Sequence, residues 1–154
     1  MKIQWKKLIL SVAIPLAVGG LASLLTMDGM KAFSALQQPP LSPPAWLFPV
    51  AWSVLYVLMG VACYLVWISD RESSEPLVAY GVQLFMNFFW TILFFGVGNT
   101  LAAFIWLVLL FAAVVWTAVL FFRTRRAAGW LLAPYIIWIC FALYLNMGAY
   151  LLHR

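Results

Sequence analysis

The chain has 154 residues, of which 67% are hydrophobic, 18% aromatic and only 8% charged, with a formal net charge of +5. A mean hydropathy of +1.04 leaves too little polar surface to cover a water-facing globule, so lipid must be the solvent for much of the fold. The length fits one domain over residues 1–154. Long unbroken apolar runs exclude a transmembrane barrel of alternating strands, and basic residues gathered at helix ends leave no nucleic-acid footprint.

In chain order, Lys2, Lys6 and Lys7 precede an uncharged run from Leu8 to Met27. At about 1.5 Å per residue, a run of about twenty residues spans a bilayer. A basic start before an apolar body also fits a secretory signal peptide. A retained helix is preferred, because the run exceeds a usual signal core and lacks a small-x-small cleavage site. Pro15 is expected to kink it, which a lipid-embedded helix tolerates. Residues 28–44 form the first loop. Pro39, Pro40, Pro43 and Pro44 fix φ and remove donors there, so no helix begins before about Ala45. Phe33 and Leu36 are placed to fold this loop back over the bundle.

The second span covers residues 45–68, with Trp46 and Trp67 at interfacial levels. Trp52, Tyr56, Gly60, Cys63 and Trp67 recur along one of its faces. SDRESSEP (residues 69–76) is a hydrophilic turn. The third span covers 77–95 and ends in a tight turn, GVGNT (residues 96–100). The fourth covers 101–122, RTRRAAG (residues 123–129) is a turn, and the fifth covers 130–152. The expectation is an all-α integral membrane protein, a bundle of five transmembrane helices. Lys2, Lys6, Lys7, Arg71, Arg123, Arg125 and Arg126 then fall on one side, against Lys31 and Arg154 on the other. The positive-inside rule puts the N-terminus in the cytoplasm and the proline loop outside. No repeat suggests an inverted-repeat transporter.

The acids Asp28, Asp70, Glu72 and Glu75 all lie in loops or at helix ends, and His153 is penultimate. Without ionisable groups inside the spans, proton relays, ion-coupled transport and hydrolytic triads lack their players. Cys63 and Cys140 lie in apolar segments without metal-ligand spacing, so no metal site is expected. The spans offer rings and amides instead. Gln83, Asn87, Trp90 and Phe94 share one face of the third span, and Tyr135, Trp138, Ala142, Asn146 and Ala149 one face of the fifth. Beneath the proline loop, such walls suit a flat apolar ligand with a few polar edges. The same amides also read as plain interhelical hydrogen bonds, and the same tryptophans as packing or interfacial anchors. Trp5, Trp46, Trp67 and Trp130 are assigned to anchoring. Trp106 and Trp116 are read as having no polar companions, facing lipid or neighbouring helices. A cholesterol-type pattern, Leu145-x4-Tyr150-x3-Arg154, arises readily by chance in so apolar a chain.

Three segments together, PPLSPPAWLFPVAWSVLYVLMG (39–60), QLFMNFFWTILFFG (83–96) and PYIIWICFALYLN (134–146), resemble the TspO/MBR family in order and spacing, over essentially the whole chain. These are the tryptophan-rich sensory proteins related to the mitochondrial translocator protein, or peripheral benzodiazepine receptor. The resemblance implies a five-helix bundle, commonly a homodimer, in a bacterial cell membrane, with a ligand cavity near the proline-rich loop. It implies porphyrins such as protoporphyrin IX as ligands, with sterols or synthetic drugs in some members and light-dependent porphyrin breakdown in certain bacterial ones. No cofactor is required. Trp52 and Trp138 match tryptophans implicated in porphyrin handling, and are the candidate redox residues if chemistry occurs. Ala142 matches a small cavity-wall position, and Asn87, Trp90 and Asn146 match polar and aromatic motif positions. With Tyr56 and Tyr135 these complete the expected ligand-binding set. The loop departs from the family, reading LQQPPLSPP where many members carry Lys-Pro and an aromatic before the proline pair. The expected function is porphyrin sensing, sequestration or light-dependent breakdown under stress. The alternatives are a carrier or exporter of small apolar metabolites and a non-catalytic membrane scaffold.

Overall fold

The computed structural model describes residues 2–154, and among the described residues every regular element is helical. The helices are α1 (Trp5–Leu25), α2 (Met27–Ser34), α3 (Leu47–Trp67), α4 (Glu75–Thr91), α5 (Thr100–Thr124), α6 (Arg126–Leu131) and α7 (Ala133–His153). A π-helical turn, Ile92–Val97, prolongs α4. Five stretches are long and apolar enough to cross a membrane: Trp5–Leu25, Leu47–Trp67, Glu75–Val97, Thr100–Thr124 and Arg126–His153. The chain is thus an all-α, multi-pass integral membrane protein, in agreement with the five expected spans.

The first helix runs through Pro15 without a break, since Pro15 is buried against the bundle, where neighbours can satisfy the backbone that proline frees. It lies antiparallel to α3. At one end the Gln4 N–H donates to the Tyr64 hydroxyl at 3.0 Å and Lys7 Nζ lies 5.3 Å from the centre of the Trp67 ring. Further along, glycines let the helices close. A Cβ on Gly60 would lie 2.5 Å from Val12 Cα and 2.6 Å from the Ser11 carbonyl oxygen, and one on Gly19 would lie 2.3 Å from the Tyr56 ring. In lipid, where no hydrophobic force drives helices together, such close backbone packing is a principal source of association.

Five expectations need correcting. RTRRAAG is not a turn throughout, because Arg123 and Thr124 still belong to α5 and Arg126 opens α6, which leaves Arg125 alone extended between them. Residues 28–44 are not all loop, because Asp28 and Lys31 bracket a short helix, α2, whose charges suit the dipole of their respective ends. Of the two residues expected to fold it back, Phe33 packs edge-on against Phe94 and Phe95, while Leu36 stays exposed. GVGNT is not wholly a turn. Gly96 and Val97 still belong to the π-turn, and the reversal falls on Gly98 (φ 76°) and Asn99, whose Oδ1 accepts from the Ala102 N–H at 3.0 Å and caps α5. The fifth span is interrupted at Leu132, ahead of Pro134, which has no N–H to donate to the Trp130 carbonyl four residues back and sits instead in the first turn of α7. Finally, Trp106 has a polar companion. Its Nε1–H donates to the Met86 carbonyl at 2.7 Å, which ties α5 to α4. Trp116 is exposed, as expected for a lipid-facing ring.

Candidate ligand site

The end of the bundle that carries the proline loop is built from rings. Trp52, one turn into α3, stacks on Tyr56 one turn further on, with centroids 5.6 Å apart and planes at 28°. From α4 the Trp90 ring approaches Trp52 at 6.2 Å. From α7, Tyr135 and Trp138 meet Trp52 edge-on at 6.2 and 6.3 Å. Phe48 closes the outer side, edge-on to Trp138 at 6.0 Å. Trp52 is therefore the hub of three helices. It and Trp138 are half-buried, whereas Tyr56, Trp90, Tyr135 and Ala142 are buried. The spacing that placed these side chains on one face of each helix explains the convergence: 52 and 56, 87 and 90, and 135, 138, 142 and 146 each cover about one turn per step.

Behind the rings runs a chain of neutral hydrogen bonds. The Tyr56 hydroxyl donates to Asn87 Oδ1 at 3.0 Å, Asn87 Nδ2 donates to the Tyr135 hydroxyl at 2.7 Å, and that hydroxyl donates to Gln83 Oε1 at 2.8 Å. A second set holds the other end of α4: Trp90 Nε1 donates to Asn146 Oδ1 at 3.1 Å, and Asn146 Nδ2 donates to the Thr100 carbonyl at 2.9 Å. Both amides use both ends, so Asn87 and Asn146 do act as interhelical ties, each such bond being worth about 0.6 to 2 kcal/mol in a membrane. The two readings of these residues are not exclusive, since the amides also fix the rings Tyr56, Tyr135 and Trp90. Of the buried donors without a protein partner among the described residues, two belong to this cluster, Gln83 Nε2 and Trp138 Nε1.

All eight expected residues thus come together: Trp52, Tyr56, Asn87, Trp90, Tyr135, Trp138, Ala142 and Asn146. Ala142 lies buried one turn from both Trp138 and Asn146. The rings touch one another across the helices, and open grooves lie at Ser69–Ser74 and between α5, α6 and α7. Gln83 and Phe48 were absent from the expected set. Gln83 shares the helical face of Asn87, and Phe48 lies one turn before Trp52 on the face of Trp52 and Tyr56, so both were legible from that spacing.

The proline loop is strapped to α7. Pro39 is buried on Gly148, where an added Cβ would lie 2.6 Å from the proline ring. The Tyr144 hydroxyl donates to the Pro40 carbonyl, and His153 Nε2 lies 2.8 Å from the Gln37 carbonyl. Gln38 Nε2 donates to the Phe33 and Leu36 carbonyls, which joins the strap to α2. Among the described residues no group of three or more His, Cys, Asp or Glu is placed to hold a metal ion. The site offers ring faces, fixed dipoles and an unused indole N–H. It contains no acid–base pair.

A model of the TspO/MBR family matches residues 11–151. The chain is 37% identical to a tryptophan-rich protein TspO of Archaeoglobus fulgidus over 149 residues, covering 96% of this chain and 97% of that one. It is 36% identical to the translocator protein of Ovis aries, over 77% of this chain and 73% of the relative. It is 34% identical to a tryptophan-rich sensory protein of Cereibacter sphaeroides, over 97% and 92%.

Proposed function

The chain belongs to the TspO/MBR family, and from that premise we propose that it binds porphyrins, protoporphyrin IX foremost, between α3, α4 and α7 beneath the proline strap. One observation carries the reading: Trp52, Tyr56, Trp90, Tyr135 and Trp138 converge from three helices with amides behind them and no carboxylate, histidine, lysine or arginine among them. Such walls suit a flat aromatic ligand, which exchanges ring–ring contacts for ring–ligand contacts. The unpartnered Trp138 N–H supplies a donor for a polar edge of that ligand. The protein needs no cofactor in this role and is no conventional enzyme. It senses or sequesters tetrapyrroles under stress, and where illumination drives porphyrin breakdown, Trp52 and Trp138 are the indoles beside the excited ring.

Orientation and assembly form part of the same proposal. The contacts of Gln4 with Tyr64 and of Lys7 with Trp67 support a common end for the N-terminus and the α3–α4 turn. The arginines of the α5–α6 turn belong to that end too, which is therefore assigned to the cytoplasm of a cell membrane. A homodimer is supported by α4, where Gly81 has open space around it and Val78, Val82 and Phe85 are exposed beside it.

Tryptophan-fluorescence quenching by protoporphyrin IX, first in the dark and then under light with the porphyrin band followed, tests the proposal. Saturable quenching, weakened in Trp52→Phe or Trp138→Phe, is expected. Loss of the band in the wild type but not in Trp138→Phe would add breakdown to binding. Absence of saturable quenching overturns the porphyrin reading and favours a carrier of other apolar metabolites, for which uptake into proteoliposomes is the assay, or a scaffold without a ligand.

A further inference from the structure

A groove of about 360 Å³ opens at the other end of the bundle, between α5, α6 and α7. Ala118, Ala133, Phe122 and Trp130 are among the residues that line it, together with Arg123 from the last turn of α5. Its depth comes from close packing. A Cβ on Gly129 would lie 2.5 Å from Phe122 Cβ, so glycine alone lets α6 close on α5. The Phe122 and Trp130 rings then meet edge-on at 6.0 Å, and Trp130 remains 68% exposed.

The mouth is cationic. Arg126 lies 5.7 Å over the Phe122 ring, whose helical neighbour is Arg123. Among the described residues neither guanidinium is paired with a carboxylate, and no acid lines the groove. Guanidinium forks match phosphate oxygens bidentately, and an interfacial indole N–H suits an ester carbonyl. An apolar trough continuous with a cationic mouth at a membrane surface matches a lipid rather than free phosphate, which has no use for the trough.

From this juxtaposition we propose that the groove holds one acidic phospholipid, its phosphate between Arg123 and Arg126, its ester region at Trp130, and an acyl chain along Ala118 and Ala133. The site lies away from the aromatic cluster and does not depend on what that cluster binds.

The test uses the full chain in phosphatidylcholine vesicles with about one lipid in five acyl-brominated, carrying either a phosphatidylglycerol or a phosphatidylcholine headgroup. Bromine quenches nearby tryptophans, and the difference between wild type and Trp130→Phe isolates Trp130. Brominated phosphatidylglycerol is expected to occupy the site about fivefold more than brominated phosphatidylcholine, the factor one basic contact provides near a membrane surface. Arg123→Gln with Arg126→Gln, each beside its own Trp130→Phe control, should abolish that preference while circular dichroism shows intact helices. The paired Lys variants should keep part of it. Ala118→Phe should lower Trp130 quenching by both lipids. Equal quenching by the two headgroups in the wild type, or a preference that survives the double Gln change, overturns the proposal. So does a disulfide-linked dimer through Ala118→Cys, made with Cys63 and Cys140 changed to Ser, because a second copy would then occupy the groove.

Discussion

Two interfaces of α3 are built on opposite principles. Toward α1 the helix offers Gly60 and receives Tyr56 against Gly19, and the contact is one of backbone and ring at short range. Toward α4 and α7 it offers Trp52 and the Tyr56 hydroxyl, and the contact is one of stacked rings and directional hydrogen bonds. The first interface tolerates no added atom and has nothing to exchange. The second is made of ring contacts that a flat guest can replace in kind, beside half-buried Trp52 and Trp138. Tyr56 belongs to both, its ring on Gly19 and its hydroxyl on Asn87, so the rigid seam fixes one edge of the adaptable site.

The largest effect is expected at the rigid seam. Gly60→Leu should destabilise the protein by about 3 kcal/mol or more, read as the midpoint of unfolding in mixed detergent micelles, since the Val12 and Ser11 backbone cannot give way. A wild-type midpoint would mean that the α1–α3 seam is not fixed by shape. Next comes the polar chain: Asn87→Leu removes the acceptor of the Tyr56 hydroxyl and one of the two bonds of the Tyr135 hydroxyl, and should cost about 1 to 2 kcal/mol by the same measurement. Trp90→Phe keeps the ring and loses only the bond to Asn146, for about 0.6 to 1.7 kcal/mol. Trp138→Phe sharpens the contrast, because its N–H has no protein partner to lose. Its stability should change by about 0.5 kcal/mol or less while porphyrin quenching weakens. A large drop in stability instead would make Trp138 a packing residue. Smallest is Tyr144→Phe, which releases the Pro40 carbonyl and should leave the unfolding midpoint in place while hydrogen exchange around Leu41 and Ser42 quickens.

The spans and the site were legible in the sequence because both rest on periodicity. Unbroken apolar runs mark bilayer-length helices, and a three-to-four spacing puts Asn87 with Trp90, and Tyr135 with Trp138, Ala142 and Asn146, on single faces. What escaped depended on contacts between segments. The α2 helix is held by Phe33 on Phe94 and Phe95, and nothing in MDGMKAFS alone demands it. Trp106 reads as apolar in the sequence because its acceptor, the Met86 carbonyl, is backbone on another helix and leaves no side-chain signature. Whether the aromatic faces would stand apart or close on one another was equally beyond spacing, since that depends on how the helices tilt.

The π-turn at Ile92–Val97 carries a consequence for chain length. The Gly98 and Asn99 N–H groups both reach back to the Leu93 carbonyl, a longer loop of chain than an α-helix encloses. A π-turn is an α-helix with one residue too many, and the surplus lets adjacent Phe94 and Phe95 both bear on Phe33. Deleting a single residue from the segment would let the helix rewind, turning the chain beyond the deletion by about 100° and carrying one of the two rings away. The perch of α2, and with it the near end of the strap, is thus written in the count of residues between Thr91 and Gly98 as much as in their kinds.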